Sequence, residues 1–127
     1  MKCANLNLRI LQGSNFEGIF TVRDAGGNPV DLTGYEARLQ ARELTNLSTV
    51  LFRWLSIIYD PGGLEALVDP VLTMGGAAGT ISVLVIGAVT AAYSFTIGSY
   101  DLEVYDVSGN VYRVCQGYVE LSKEVTR

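Results

Sequence analysis

The sequence contains no histidine. That removes the most common general base near neutral pH and the most common transition-metal ligand. It has two cysteines, Cys3 and Cys115, too few for a zinc site without histidine. No G-x-S-x-G elbow, phosphate-cradling glycine loop or dinucleotide fingerprint is present. Basic residues are outnumbered, 9 against 13 acidic, and Arg9, Arg23, Arg38, Arg42, Arg53, Arg113, Lys123 and Arg127 are spread along the chain. A nucleic-acid partner is not expected, because neutralising phosphates needs a basic surplus or stripe. Long apolar runs are scarce too. Residues 81–97 alone approach the length of a membrane span, but Ser82, Gly87, Thr90, Ser94 and Thr96 interrupt them, so no membrane segment is expected. Met1-Lys2 leads into alternating residues, so no signal peptide is expected either.

What remains is a folding sequence of one-domain length. It has 127 residues, 49% of them hydrophobic and 17% charged, enough to build a core without metals or disulfide staples. Fourteen glycines, seven tyrosines and many Val and Thr favour strands joined by tight turns.

Period-two alternation locates the strands. Leu6, Leu8 and Ile10 alternate with polar neighbours over residues 4–11; Phe16, Gly18, Phe20 and Val22 share one face of the next strand. The cleanest pattern sets Tyr35, Ala37, Leu39 and Ala41 against Glu36, Arg38, Gln40 and Arg42. A helix would smear those charges around its circumference, whereas a strand puts them all in water. Further strands are expected over 49–58, over 80–86 with Ile81, Val83 and Val85 together, around Tyr100–Val104, and over 111–121 with a bulge at Gly117. Residues 87–93 have the composition of a short helical corner. Asp24-x-x-Gly27-Asn28 and Asp106-x-x-Gly109-Asn110 share one turn chemistry: Asp caps the turn, and Gly and Asn tolerate positive φ.

These elements predict one all-β domain over 1–127, an immunoglobulin-like antiparallel β-sandwich of about seven strands with one short helical corner. Residues 43–78 are irregular and apolar, suited equally to a binding loop or a flap over the core, and 75–79 read as a flexible connection.

Several side-chain groups invite a chemical reading. Asp101, Glu103 and Asp106 are the only catalytic candidates, yet Asp101 and Glu103 share the outward parity of one strand, so a solvated face is preferred and no enzyme activity is expected. Asp24, Asn28 and Asp31 lack a calcium-loop spacing, and turn formation accounts for them. No metal or cofactor is expected. Phe52, Trp54 and Tyr59 offer an aromatic platform for sugar, but such residues more often fill a core or an interface. Cys115 shares parity with Val119 and Leu121 and reads as a small buried hydrophobe. Cys3 precedes the first strand; two free thiols are preferred, with a bond to Cys115 or to another subunit as the alternatives.

The segment Asp24-Ala25-Gly26-Gly27-Asn28-Pro29-Val30-Asp31-Leu32-Thr33-Gly34-Tyr35, with the alternating strand after it, resembles a recurring pattern of tailed bacteriophages. So do Gly79-Thr80-Ile81-Ser82-Val83, the alanine-rich corner, Tyr100-Asp101-Leu102-Glu103-Val104, Asp106-x-x-Gly109-Asn110-Val111 and the ending Glu124-Val125-Thr126-Arg127. The chain resembles small tail or baseplate-associated virion proteins, and the amino-terminal β-sandwich of phage upper baseplate proteins, over residues 8–42 and 79–127. Residues 43–78 depart from that family's usual connection. The resemblance implies a virion structural protein, assembled in the bacterial cytoplasm, that bridges or anchors tail, baseplate or fibre components and meets other virion proteins and copies of itself. A capsid decoration protein and a carbohydrate-binding adhesin module are the competing readings. The contacts are expected from Leu51, Phe52, Trp54, Ile57, Ile58 and Tyr59 and from the tail between Lys123 and Arg127.

Overall fold

The structure is a computed structural model, and it describes residues 1, 3–56 and 71–125. Among them the larger sheet contains β1 (Ala4–Asn5), β2 (Leu8–Leu11), β4 (Glu36–Glu43), β5 (Val50–Leu55), β8 (Ile97–Tyr105) and β9 (Val111–Ser122). The smaller sheet contains β3 (Phe16–Thr21), β6 (Leu72–Met74) and β7 (Thr80–Val85). A one-turn helix, α1 (Gly87–Thr90), forms the corner expected after β7. The larger sheet runs β9-β8-β4-β5, with β1 and β2 both beside β9; the smaller runs β3-β7-β6. That is the Greek-key order of an immunoglobulin-like sandwich, and the fold is all-β.

Alternation decides which face each strand buries. Ala37, Leu39 and Ala41 of β4 are fully buried, and so are Leu102 and Val104 of β8, which lie opposite Leu39 and Ala37. Ile81, Val83 and Val85 supply the facing surface from β7, with Phe20 from β3 and Leu72 from β6. Leu32 is buried in the connection between β3 and β4.

Four features differ from the sequence-based expectation. The first and last strands pair in parallel, so the larger sheet is mixed. Residues 4–11 form one strand in constant register with β9, broken at Leu6 and Asn7, where the Asn7 side-chain oxygen accepts the Tyr118 N–H at 3.0 Å. The irregularity in β9 lies at Val114, between Arg113 opposite Glu103 and Cys115 opposite Leu102, and not at Gly117. Gly117 has a different purpose: a Cβ there would meet the Leu6 carbonyl oxygen at 2.3 Å, so the missing side chain lets the first strand lie close. Lastly, β6 is a strand too short for its pattern to announce it, and residues 75–79 are tied down by a 3-10 turn (Gly76–Ala78) whose Gly76 carbonyl accepts the Leu32 N–H at 2.9 Å.

The two Asp-x-x-Gly-Asn turns adopt one geometry. Asp24 Oδ1 accepts the N–H groups of Gly26 and Asn28, and Asp106 Oδ1 accepts those of Ser108 and Asn110. Gly27 and Gly109 carry the positive φ, 84° and 89°; both asparagines stay in ordinary backbone and contribute hydrogen bonds only.

The crossover between the sheets is pinned through Thr90, the one buried polar side chain among the described residues. Its hydroxyl donates to the Ser14 carbonyl at 2.7 Å and accepts the Gly13 N–H at 3.0 Å, while Asn15 Oδ1 accepts the Gly87 N–H. A buried hydroxyl satisfied on both sides avoids the desolvation penalty and fixes the corner to the β2–β3 turn. No helix among the described residues is long and apolar enough to cross a membrane. Residues 81–97 form most of β7, the corner and the start of β8.

Candidate functional site

Both outer faces of the sandwich follow from strand parity, and they differ in chemistry. On the larger sheet, Arg9, Arg38, Arg42, Arg53 and Arg113 all project outward, because their neighbours along each strand point into the core. These arginines look scattered in the sequence; the sheet gathers them. Acids stand among them in register. Arg38 Nε lies 2.9 Å from Glu103 Oε1, with the guanidinium 4.8 Å from the Tyr105 ring centroid. Arg113 is 3.6 Å from Asp101, and Arg9 is 3.5 Å from Glu120. The result is a mixed-charge surface without the bare basic stripe that a phosphate backbone needs.

This face is hollowed. A depression of about 730 Å³ runs over β4, β8, β9 and the first strand, lined among others by Asn5, Arg38, Gln40, Arg42, Asp101 and Gln116. Gln116 donates to Asn5 Oδ1 at 3.2 Å across the parallel pair. Partial burial pushes the Asp101 carboxyl above its ordinary value, and the neighbouring Glu103 adds to it, against the pull of Arg113, Arg42 and Arg38. Asp101 and Glu103, the catalytic candidates of the sequence, therefore sit on one wet face, each beside an arginine. Asp106 is elsewhere, capping its own turn.

The outer face of the smaller sheet is nearly free of charge. Ile19, Leu84 and Ile86 are 68%, 48% and 54% exposed. Between them in register stand Thr21, Thr73, Thr80 and Ser82, with Glu17 the single ionisable group of β3, β6 and β7. A solvent-facing strand surface is ordinarily marked by charges, and this one carries large aliphatic side chains instead.

Two of the contact residues expected from the sequence are turned into the core. Phe52 and Trp54 are buried, 7% and 2% exposed, and belong to the core. They stack on each other with ring centroids 4.7 Å apart, and Phe52 stacks on Tyr93 at 5.1 Å. Trp54 Nε1 donates to the Tyr93 hydroxyl at 3.0 Å. Neither ring is free to meet a sugar or another chain; alternation along β5 turns both inward and Arg53 outward. Leu51 is half-buried beside a cleft of about 610 Å³ that also takes in Leu44, Tyr93, Phe95 and Ile97. Ile57, Ile58, Tyr59 and Arg127 lie outside the described residues. Lys123 does not project freely: its Nζ donates to the Ser94 carbonyl at 2.8 Å, and the Glu124 N–H to Gln12 Oε1 at 2.9 Å.

Cys3 and Cys115 are both free thiols, Cys3 exposed and Cys115 buried. Parallel pairing sets Ala4 opposite Cys115, so the first and last strands are neighbours as expected. Burial pushes the Cys115 thiol up, and the Tyr100 hydroxyl lies 3.2 Å from its sulfur. Tyr100 also donates to the Leu6 carbonyl, and burial pushes its hydroxyl up strongly. The candidate calcium ligands are occupied by their own turns: Asp31 Oδ1 accepts the Thr33 N–H and hydroxyl, which holds that carboxyl below its ordinary value.

Sequence reasoning missed both outer surfaces. The parity of each strand was available, since Asn5, Gln40, Asp101 and Gln116 all fall on polar positions. The order of the strands, which brings those positions together, was not. In comparison with known proteins, no family model matches the chain and no curated protein matches it.

Proposed function

We propose that the chain is a structural module of a tailed-phage particle, acting by protein–protein contact with copies of itself and with other virion proteins, with no bond broken. The observation that carries the reading is the outer face of the smaller sheet, nearly free of charge, where Ile19, Leu84 and Ile86 are left in water with Glu17 the single ionisable group of its strands. Fully burying an exposed aliphatic side chain of this size contributes about 1.5–3 kcal/mol; these three are already partly covered and keep roughly half of that each, so a contact over all of them still has a driving force available. The phage-like turn-and-strand pattern supports the same reading, since Asp24 and Asp106 shape two matched turns at the ends of strands in a compact sandwich. Tail, baseplate and fibre proteins need rigid modules that present a fixed surface in several copies, and a symmetric contact lets one patch act repeatedly.

The test is association with the fold held constant. Ile19→Glu puts a second charge, two residues from Glu17, at the most exposed aliphatic side chain of the patch without touching the core. The wild-type chain is expected to self-associate with rising concentration, independently of salt, and the variant to stay monomeric with an unchanged circular dichroism spectrum. Equal association by both would remove this face from the account.

A further inference from the structure

We propose that the depression on the larger sheet binds a neutral, polyhydroxylated ligand, an oligosaccharide, across β4, β8 and β9. This site lies on the opposite face from the assembly patch and does not depend on that reading. Its volume of about 730 Å³ falls within the roughly 300–1,000 Å³ of small-ligand sites.

Charge selects the ligand class. Arg38 and Arg42 line the depression together with Asp101 and Glu103, two positive groups against two negative. A free anion would meet both carboxylates, and a free cation both guanidiniums. Sugar hydroxyls donate and accept at once, and they match a surface on which donors and acceptors alternate. Gln40 is paired in register with Asp101, and Arg38 with Glu103, so that alternation repeats along the groove at the residue spacing of a strand. Asn5 and Gln116 add amides, each able to give and to take.

The groups are also held in place before any ligand arrives. Arg38 is clasped between Glu103 and the Tyr105 ring, Asp101 is beside Arg113, and Gln116 is bonded to Asn5. Fixed side chains lose less rotamer entropy on binding than free ones do. At the rim, Tyr118 is 52% exposed and lines the same depression, offering a ring to the apolar face of a pyranose. This aromatic replaces the Phe52 and Trp54 platform, which the core consumes.

The experiment presents the full chain to an array of neutral and acidic oligosaccharides, then measures any binder by titration calorimetry at low and high salt. Saturable binding to a neutral oligosaccharide is expected, with little change in affinity on adding salt. Asp101→Asn and Tyr118→Ala should each weaken it by about tenfold, the effect of losing roughly 1.4 kcal/mol, with thermal melts confirming that both variants fold. Val107→Ser, on the exposed turn after β8, should bind as wild type does. Silence across the array, binding confined to acidic glycans and abolished by salt, or folded Asp101→Asn and Tyr118→Ala proteins that bind undiminished would each overturn the proposal.

Discussion

At the scale of single residues, the two turn aspartates show how little chemistry is needed to place a strand. Asp106 accepts hydrogen bonds from the Ser108 and Asn110 backbones and the Asn110 side chain, and these hold its carboxyl below the ordinary value. A carboxylate stabilised in the folded state contributes its stability fully above the unfolded-state value and loses it as pH falls through the depressed one. Asp106→Ala is therefore expected to lower the melting temperature at neutral pH. The gap to wild type should close as the solution is acidified through and below the carboxylate range; a gap constant with pH would mean that the turn bonds do not depend on the charge.

Trp54 supplies the sharper residue-scale prediction, because its role was misread from the sequence. An aromatic in a stretch read as irregular and apolar suits an interface as well as a core, and the short alternation Phe52-Arg53-Trp54 that turns both rings inward shows one face without showing what covers it. With the ring 2% exposed and its Nε1 bonded to Tyr93, Trp54→Ala should cost about 3–5 kcal/mol of folding stability in chemical denaturation. A loss below about 1 kcal/mol would place the ring at the surface after all. The cysteines differ just as plainly. In the native protein an alkylating reagent should modify Cys3 rapidly and Cys115 only after unfolding, read by mass spectrometry.

At the scale of elements, legibility tracked whether a strand has one wet face. β4 was readable because Arg38, Gln40 and Arg42 alternate with Ala37, Leu39 and Ala41, and β7 because Ile81, Val83 and Val85 share a parity. β6 was not, since Leu72, Thr73 and Met74 are too few to show a period before Gly75 ends them. In β9 a glycine suggested a bulge, the common meaning of glycine in a strand, but the cause is the approach of the first strand. Gly117→Ala should then displace residues 4–6, costing about 1–3 kcal/mol, the usual range for overpacking. Hydrogen exchange should show faster exchange of the Leu6 amide, now bonded to the Gln116 carbonyl, with β4 and β8 unaffected.

At the scale of the whole molecule, the division of surfaces matters more than any one residue. The sandwich separates a hollowed, ion-paired face from one nearly free of charge, and the sequence concealed both because each draws on strands far apart in the chain. Arg9 and Arg113 stand about a hundred positions apart in sequence, yet lie outward on neighbouring strands of one face, Arg9 beside Glu120 and Arg113 beside Asp101. A per-strand pattern shows that a side chain is outward; only strand order shows what it is outward with. The fold class was legible on that local information, and the candidate sites were not.

Sedimentation equilibrium of the wild-type chain beside Ile19→Glu tests the assembly account most directly. The account predicts concentration-dependent association of the wild type, unaffected by salt, and a monomeric variant that melts at the same temperature. A wild type that remains monomeric at every concentration, or a variant that associates as strongly, would contradict it.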